Sequence, residues 1–229
     1  MTTLSPALSA HLFTLLGEQR FLTDADSLQH YGRDWTRFAD PAPCAVVLPE
    51  TVEEVQAIVR AARAAGVAIV PSGGRTGLSG GAVASNGELV MALDRMNKVL
   101  EVNTVDRSLR CQAGTITEVI QKTAIDHDLI YPVDFASSGS SQIGGNIATN
   151  AGGIQVIRYG MTRDWVSGLK VVTGTGELLD LNRGLMKNNT GFDLRHLITG
   201  SEGTLGIIVE ATLQLTQPAT NPQVIVLGL

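Results

Sequence analysis

A chain of 229 residues, 44% hydrophobic and 17% charged, is long enough to bury a real core and too apolar for a disordered or fibrous segment. A net charge of −5 leaves no basic stripe for nucleic acid, and no apolar run approaches the roughly 20 residues of a membrane helix. Without metal-like spacing between Cys44 and Cys111 or a signal-peptide layout, the expectation is a reduced, cytoplasmic protein with no metal, nucleic-acid or membrane-spanning partner.

In chain order, residues 4–16 have helical spacing and stop at Gly17, and Asp24 to His30 reads as a second short helix. Ala45–Leu48 is a short strand closed by Pro49. Thr51 then caps a helix with Glu53 and Glu54 in its first turn and a buried stripe of Val52, Val55, Ile58, Val59 and Ala62, ended by Gly66. With Val67–Val70 as the next strand, residues 45–70 form a β-α-β unit and predict parallel strands. Strands are predicted at Glu88–Leu93, Lys98–Val102 and Leu109–Ala113, and a helix from Thr115 to about His127. Val166–Thr173 and Glu177–Leu181 form a hairpin around Gly174-Thr175-Gly176, and Leu205–Leu215 alternates as a strand. Pro218–Pro222 reads as a linker into a final apolar strand, Val224–Leu227, which lacks a partner and suggests a longer protein.

Four stretches stand out for chemistry. Pro71-Ser72-Gly73-Gly74-Arg75-Thr76-Gly77-Leu78-Ser79-Gly80-Gly81 packs five glycines into eleven residues after an apolar strand. Such a backbone can aim several N–H groups at one anion, so the loop is read as a pyrophosphate cradle. It is neither a Walker A loop nor a G-x-G-x-x-G turn. Gly77-Leu78-Ser79-Gly80-Gly81 formally matches a nucleophile elbow, but Ala82–Gly87 is a poor helix, so a serine hydrolase acting through Ser79 is a remote alternative. Residues 132–153 form a second region rich in Gly, Ser and Asn; its composition fits either a flat polar ligand or a tightly packed structural loop. Gly200–Ile207 alone reads as a strand-entry turn, and Lys187–Leu194 as a solvated turn. His11, His30, His127 and His196 have no ligand spacing, and no nucleophile-base set is apparent. The sequence supplies a ligand cradle and little acid–base chemistry.

Taken in order, Tyr31–Trp35, Pro71–Gly81, Ile143–Gly153, Arg158-Tyr159-Gly160, Lys187–Leu194 and Gly200–Ile207 resemble the PCMH-type FAD-binding domain of the vanillyl-alcohol oxidase flavoproteins. The similarity is greatest to the branch of D-2-hydroxyglutarate dehydrogenase, D-lactate dehydrogenase and glycolate oxidase, and it runs from about Tyr31 to Pro218. It implies an α/β (α+β) domain of two lobes: a small parallel β-α-β lobe and a larger, mostly antiparallel sheet lobe with flanking helices. The expected divisions are a helical lead-in at 1–41, lobe 1 at 42–110, lobe 2 at 111–218, and at 219–229 a linker and first strand of an absent C-terminal substrate domain or partner subunit. The cofactor implied is FAD, held without a covalent bond because the glycine loop has neither His nor Cys.

Under the resemblance, Pro71 and Gly73, Gly74, Arg75, Thr76, Gly77, Leu78 and Ser79 surround the pyrophosphate. Pro132, Asp134, Ser140, Ser141, Gly144, Gly145, Asn146, Asn150 and Gly153 line the ribityl and isoalloxazine, with Glu202, Gly203 and Ile207 on the adenosine or ribityl side. Arg75 departs from an expected Asn or Gly and suggests an added phosphate contact; Ser138 and Ser141 stand where relatives carry Lys and Cys. No catalytic residue is expected in this chain. The whole enzyme implied oxidises a D-2-hydroxy acid by hydride transfer to flavin N5 and passes electrons to a carrier protein or quinone; the alternative is a flavin-binding fragment without turnover.

Overall fold

The computed structural model describes residues 4–36, 38–220 and 223. Its first sheet runs in the order β1-β2-β4-β3, built from β1 (Phe21–Leu22), β2 (Ala45–Val47), β3 (Ile69–Ser72) and β4 (Leu89–Ala92). β4 lies between β2 and β3 and is parallel to both, with Val46 and Val70 each opposite Val90. The β-α-β reading of 45–70 therefore holds for direction, but its two strands are not neighbours. Alternate residues serve opposite faces, as a pleated strand requires. Ala45, Val47, Leu89 and Met91 enter the main core, while Val46, Val90 and Ala92 form a smaller cluster packed against Leu28 and Tyr31. The latter two belong to α2 (Ala25–Tyr31), capped by Asp24.

The crossover helix α3 (Val52–Ala64) is capped by Thr51 and buries Val55, Ile58, Val59 and Ala62. Each of the larger three contributes roughly 1.5–3 kcal/mol of burial before entropy is subtracted. α1 (Pro6–Leu16) adds Leu8, Leu12 and Leu16 to the same core. Pro71 can lie within β3 because β3 is the edge strand, where a missing N–H costs no ladder bond.

The second sheet is antiparallel throughout, in the order β5-β6-β9-β7-β8. Its strands are β5 (Val99–Asn103), β6 (Ser108–Gln112), β7 (Val166–Val172), β8 (Leu178–Leu181) and β9 (Ile207–Gln214). This is the small-parallel, large-antiparallel architecture expected. The division between the sheets falls between β4 and β5, so the lobe boundary expected at 110/111 lies inside β6 and moves upstream. β5 and β6 are joined by a tight turn, and β6 finds its other edge on β9, a pairing invisible at short range. The helical lead-in also contains a strand, since β1 pairs with β2. The sheets are tied together where Gln56 Nε2 and Arg60 Nη2 on α3 both donate to the Gly176 carbonyl at 2.8 Å, in the β7–β8 turn.

The remaining helical elements are α4 (Thr117–Ile125), α5 (Ile143–Ala148), α6 (Val156–Tyr159), a 3₁₀ turn (Thr162–Trp165) and α7 (Leu194–Ile198). Ile116 rather than Thr115 occupies the cap of α4; the Thr115 hydroxyl donates to the Lys98 carbonyl instead. The Gly/Ser/Asn-rich region is not loop throughout, because Ile143–Ala148 coils into α5 with Ile143 and Ile147 fully buried and packs on β9. The expected terminal strand Val224–Leu227 lies outside the described residues.

Candidate functional site

The loop after β3 is held by its carbonyls. Ser72 O accepts from Leu93 N–H at 3.1 Å, Gly73 O from Arg75 Nη1 at 2.7 Å, and Gly77 O from Trp35 N–H at 2.9 Å. In a planar trans peptide the N–H points opposite to the C=O. The N–H groups of Gly73, Gly74 and Leu78 are therefore turned away from these anchors. Among the described residues, none of the seven backbone N–H groups from Gly73 to Ser79 donates to another group of the chain. Gly73 to Thr76 are half-buried and Gly77 to Ser79 exposed, so these seven donors are left to solvent or to an acceptor lying against the loop.

Two side chains clamp the loop. The partly exposed Arg75 carries a left-handed φ of 58°, and its guanidinium bonds both Asp94 oxygens at 2.8 and 3.0 Å and lies 4.8 Å from the Tyr31 ring centroid. Nη1 thus bonds both Asp94 and the Gly73 carbonyl and Nη2 bonds Asp94, which bears on the added phosphate contact expected of Arg75. Burial, and after it the Asp94 carboxylate, pushes the Tyr31 phenol above its ordinary value. At the outer end, the buried Asp34 carboxylate accepts from Thr36 N–H at 2.7 Å and Gly80 N–H at 3.0 Å. Gly74 is required by close approach, since a Cβ there would collide with the Ser140 carbonyl and come within 2.9 Å of Ser141 Cα.

The loop forms one wall of a cavity of about 420 Å³ between the lobes, within the range of small-molecule sites. α5 supplies a second wall with Gly144, Gly145, Asn146 and Ala148, and the turn before β9 a third with Ser201, Glu202, Gly203 and Ile207. Gly200 N–H and Glu202 N–H donate to the Ile147 and Ala148 carbonyls at 3.1 and 2.9 Å, which fastens the third wall to the second. Gly203 lies against Pro71, closing the ring of motifs. Asn146 Nδ2 donates to Thr117 Oγ1 at 2.7 Å, and that hydroxyl is also 2.8 Å from Ser141 Oγ.

Pro71, Gly73, Gly74, Arg75, Thr76, Gly77, Leu78, Ser79, Gly144, Gly145, Asn146, Glu202, Gly203 and Ile207 all line this cavity, whereas Pro132, Asp134, Ser140, Ser141, Asn150 and Gly153 do not. Pro132 and Asp134 border a separate hollow of about 240 Å³. Asp134 Oδ1 accepts from Gln121 Nε2 at 3.3 Å, and its carbonyl accepts from Ile154 N–H at 2.9 Å. Ser140 backs Gly74, Ser141 is buried in the Thr117 network, and Asn150 Oδ1 accepts from Arg163 N–H at 3.0 Å. Gly153 packs on the Asp134 carbonyl.

Reading motifs one by one missed Asp34, Ser72, Phe135, Gln142 and Ile208, which also line the cavity. Asp34 and Ser72 lie inside quoted motifs and Gln142 directly precedes one, a signal that could have found them. Ser72 Oγ and Gln142 Oε1 are buried without a partner among the described residues. The nucleophile-elbow alternative fails on context: the next element after the exposed Ser79 is β4, and among the described residues no histidine lines the cavity. Lys187–Leu194 lies off the cavity, where Asp193 caps α7 and pairs with Arg195 at 2.6 Å.

The sequence matches the FAD binding domain family over residues 43–182, more than half of the chain. The chain belongs to that family. Its cofactor is FAD. Among curated relatives, this FAD-binding domain is similar to a D-2-hydroxyglutarate dehydrogenase of Stutzerimonas stutzeri, 61% identical over 223 residues, covering 97% of this chain and 48% of that protein. It is also similar to the mitochondrial D-2-hydroxyglutarate dehydrogenase of Arabidopsis thaliana, 40% identical over 204 residues, covering 89% of this chain and 36% of that one. The chain therefore spans half or less of these relatives' length. Among solved structures, an alkyldihydroxyacetonephosphate synthase superposes with a TM-score of 0.84 at 28% identity, covering 93% of this chain and 40% of that one.

The residues fit the cofactor. A diphosphate needs convergent donors, and the loop offers seven backbone N–H groups. A flavin ring needs a close, flat approach, and a Cβ placed on Gly145 would meet nothing within 4 Å. The unpartnered Ser72 and Gln142 oxygens supply polar groups on the same wall. Among the described residues no helix is long and apolar enough to cross a membrane.

Proposed function

We propose that this chain is the flavin-holding part of a dehydrogenase that oxidises a D-2-hydroxy acid, 2-hydroxyglutarate first among them. The observation that carries the reading is the unbroken run of unpartnered N–H donors at 73–79, in a chain 61% identical to a D-2-hydroxyglutarate dehydrogenase. When bound, FAD supplies an acceptor for the hydride that leaves C2 of the hydroxy acid.

This chain's own groups bind and orient. The N–H groups of Gly73 to Ser79 hold the diphosphate, while Pro71 and Gly203 close the ring beneath it. Asn146, fixed by Thr117, and Gln142 offer amides to the polar edge of the ring system, with Gly144 and Gly145 admitting its face. Donors at that edge favour the extra negative charge of the reduced ring. Glu202 and Ile207 border the adenosine or ribityl side. Pro132, Asp134, Ser140, Ser141, Asn150 and Gly153 support these walls from behind without touching the cofactor. The bond to the cofactor is non-covalent, since the loop has neither His nor Cys.

Substrate contacts, proton transfer from the hydroxyl and delivery of electrons to a carrier protein or quinone belong to the part of the enzyme that this chain does not span. The ionisable residues on the cavity wall are Asp34, Arg75 and Glu202, and the first two are occupied with holding the loop. The free thiols of Cys44 and Cys111 support a reducing, cytoplasmic setting.

The test is reconstitution. The protein is incubated with FAD, freed of excess by gel filtration, and its visible flavin absorbance measured; one equivalent is expected, and a colourless protein ends the reading. A second reading, that the chain alone binds but does not turn over, is favoured by the absence of histidine from the cavity wall. Oxidation of D-2-hydroxyglutarate by the FAD-loaded chain with an artificial dye acceptor would remove that second reading and leave the first intact.

A further inference from the structure

Resting on the cofactor reading above, we propose that Arg75 is a positioning residue: it shapes the diphosphate cradle from behind, through its fork to Asp94, and does not itself touch phosphate. A side chain bearing a left-handed φ is uncommon and persists only where its surroundings over-determine it. Three contacts do so here. The guanidinium makes two bonds to Asp94 beyond the end of β4, lies over the Tyr31 ring at the end of α2, and donates to the Gly73 carbonyl at 2.7 Å. Through peptide planarity, the last bond sets the direction of the Gly74 N–H, one of the unpartnered donors. The side chains of Arg75 and Asp94 are 15% and 27% exposed, so the pair is shielded and the arginine is not a mobile surface charge. Three of the five guanidinium N–H donors are thereby spent on Asp94 and the Gly73 carbonyl, and the fork holds the group over the Tyr31 face.

The two roles predict opposite signs for one substitution. If Arg75 is a phosphate ligand restrained by Asp94, then Asp94→Asn frees it and FAD binds more tightly. If Arg75 is a clamp, Asp94→Asn loosens the loop and FAD binds more weakly. FAD affinity is measured by flavin fluorescence titration, and melting of the cofactor-free protein by circular dichroism, for wild type, R75A, R75K, D94N, Y31F and the R75A/D94N pair. The clamp predicts that R75A and D94N each weaken FAD by about ten- to a hundredfold, the size of loss seen when a partner that orients a metal ligand is removed. R75K should fall with them, because an ammonium cannot reproduce the planar fork. Y31F should stay near wild type, since the aromatic face remains, and the double variant should be no worse than the singles.

Tighter binding by D94N, or wild-type affinity in R75K, overturns the clamp. So does an affinity loss that merely tracks lowered melting of the cofactor-free protein across all variants. Should R75A fail to fold, the nearly isosteric D94N still decides the sign. Wild-type protein that takes up no FAD overturns the cofactor reading and the clamp with it; wild-type binding with a tightened D94N overturns the clamp alone.

Discussion

The glycine loop 72–81 and the Gly/Ser/Asn-rich stretch 132–153 look alike in composition, yet the fold treats them differently. The loop lines the cavity from Ser72 to Ser79 and leaves the N–H groups of Gly73 to Ser79 without internal partners among the described residues. In the second stretch several small polar residues are satisfied by neighbouring elements. Asn150 bonds the Arg163 backbone, Ser141 bonds Thr117, and Gly153 packs on Asp134; the segment around α5, with Phe135, Ser137 and Ala151, reaches the ligand space. Small polar residues thus mark a ligand surface where their hydrogen-bonding groups are left over, and a structural support where they are used up.

The sharpest way to break this comparison is to place a methyl group in each region. Gly74→Ala would collide with Ser140, and Gly153→Ala with Asp134 at a φ of 82°. Each should cost about 1–3 kcal/mol of stability by overpacking, but only the first should abolish FAD uptake at a temperature where both are folded. Equal loss of FAD in the two variants would erase the distinction. Next in size is Asn146→Ala, which removes a buried donor to Thr117 and should cost about 1 kcal/mol in thermal melts, with weaker flavin binding alongside.

Gly145→Ala sharpens the contrast from the other direction. A Cβ there meets no atom of the chain, so the cofactor-free protein should gain up to about 1 kcal/mol from helix propensity while its FAD affinity falls. A variant that gains stability and keeps its affinity would show that the open space is not ligand space. The smallest effect is a control outside both stretches. The Arg195 hydrogen bond holds the Asp193 carboxyl below its usual 3.8. Its contribution is therefore complete above that usual value and is lost as pH falls through the lower folded value. The melting difference between wild type and D193N should be constant near neutrality and shrink on acidification, with FAD binding at neutral pH unaltered.

Much of the fold was legible along the chain. The cap at Thr51 and the stripe on α3 are local signals, since a helix end and its buried face are written within a few residues, and the helix read from Asp24 begins one residue later with Asp24 as its cap. α5 was not legible, because Ile-Gly-Gly-Asn-Ile-Ala has poor intrinsic helix propensity and coils where the fully buried Ile143 and Ile147 find the core. β1 is two residues long and exists only because β2 offers it an edge. The roles of Arg75 and Asp34 were hidden for the same reason, since their partners, Asp94 and Gly80, lie 19 and 46 positions away in the chain.

By itself, then, the order of residues determined most element types and the presence of a glycine-dense backbone, which depend on periodicity and glycine spacing over short windows, while the two-lobed class followed from the resemblance carried by the ordered motifs. Tertiary structure alone decided that β4 inserts between β2 and β3, that β6 joins β9, and which small residues keep their hydrogen-bonding groups for a ligand. Those outcomes depend on pairings between distant segments, and a hydrogen-bond donor is spare or spent only once every possible partner has been brought within reach.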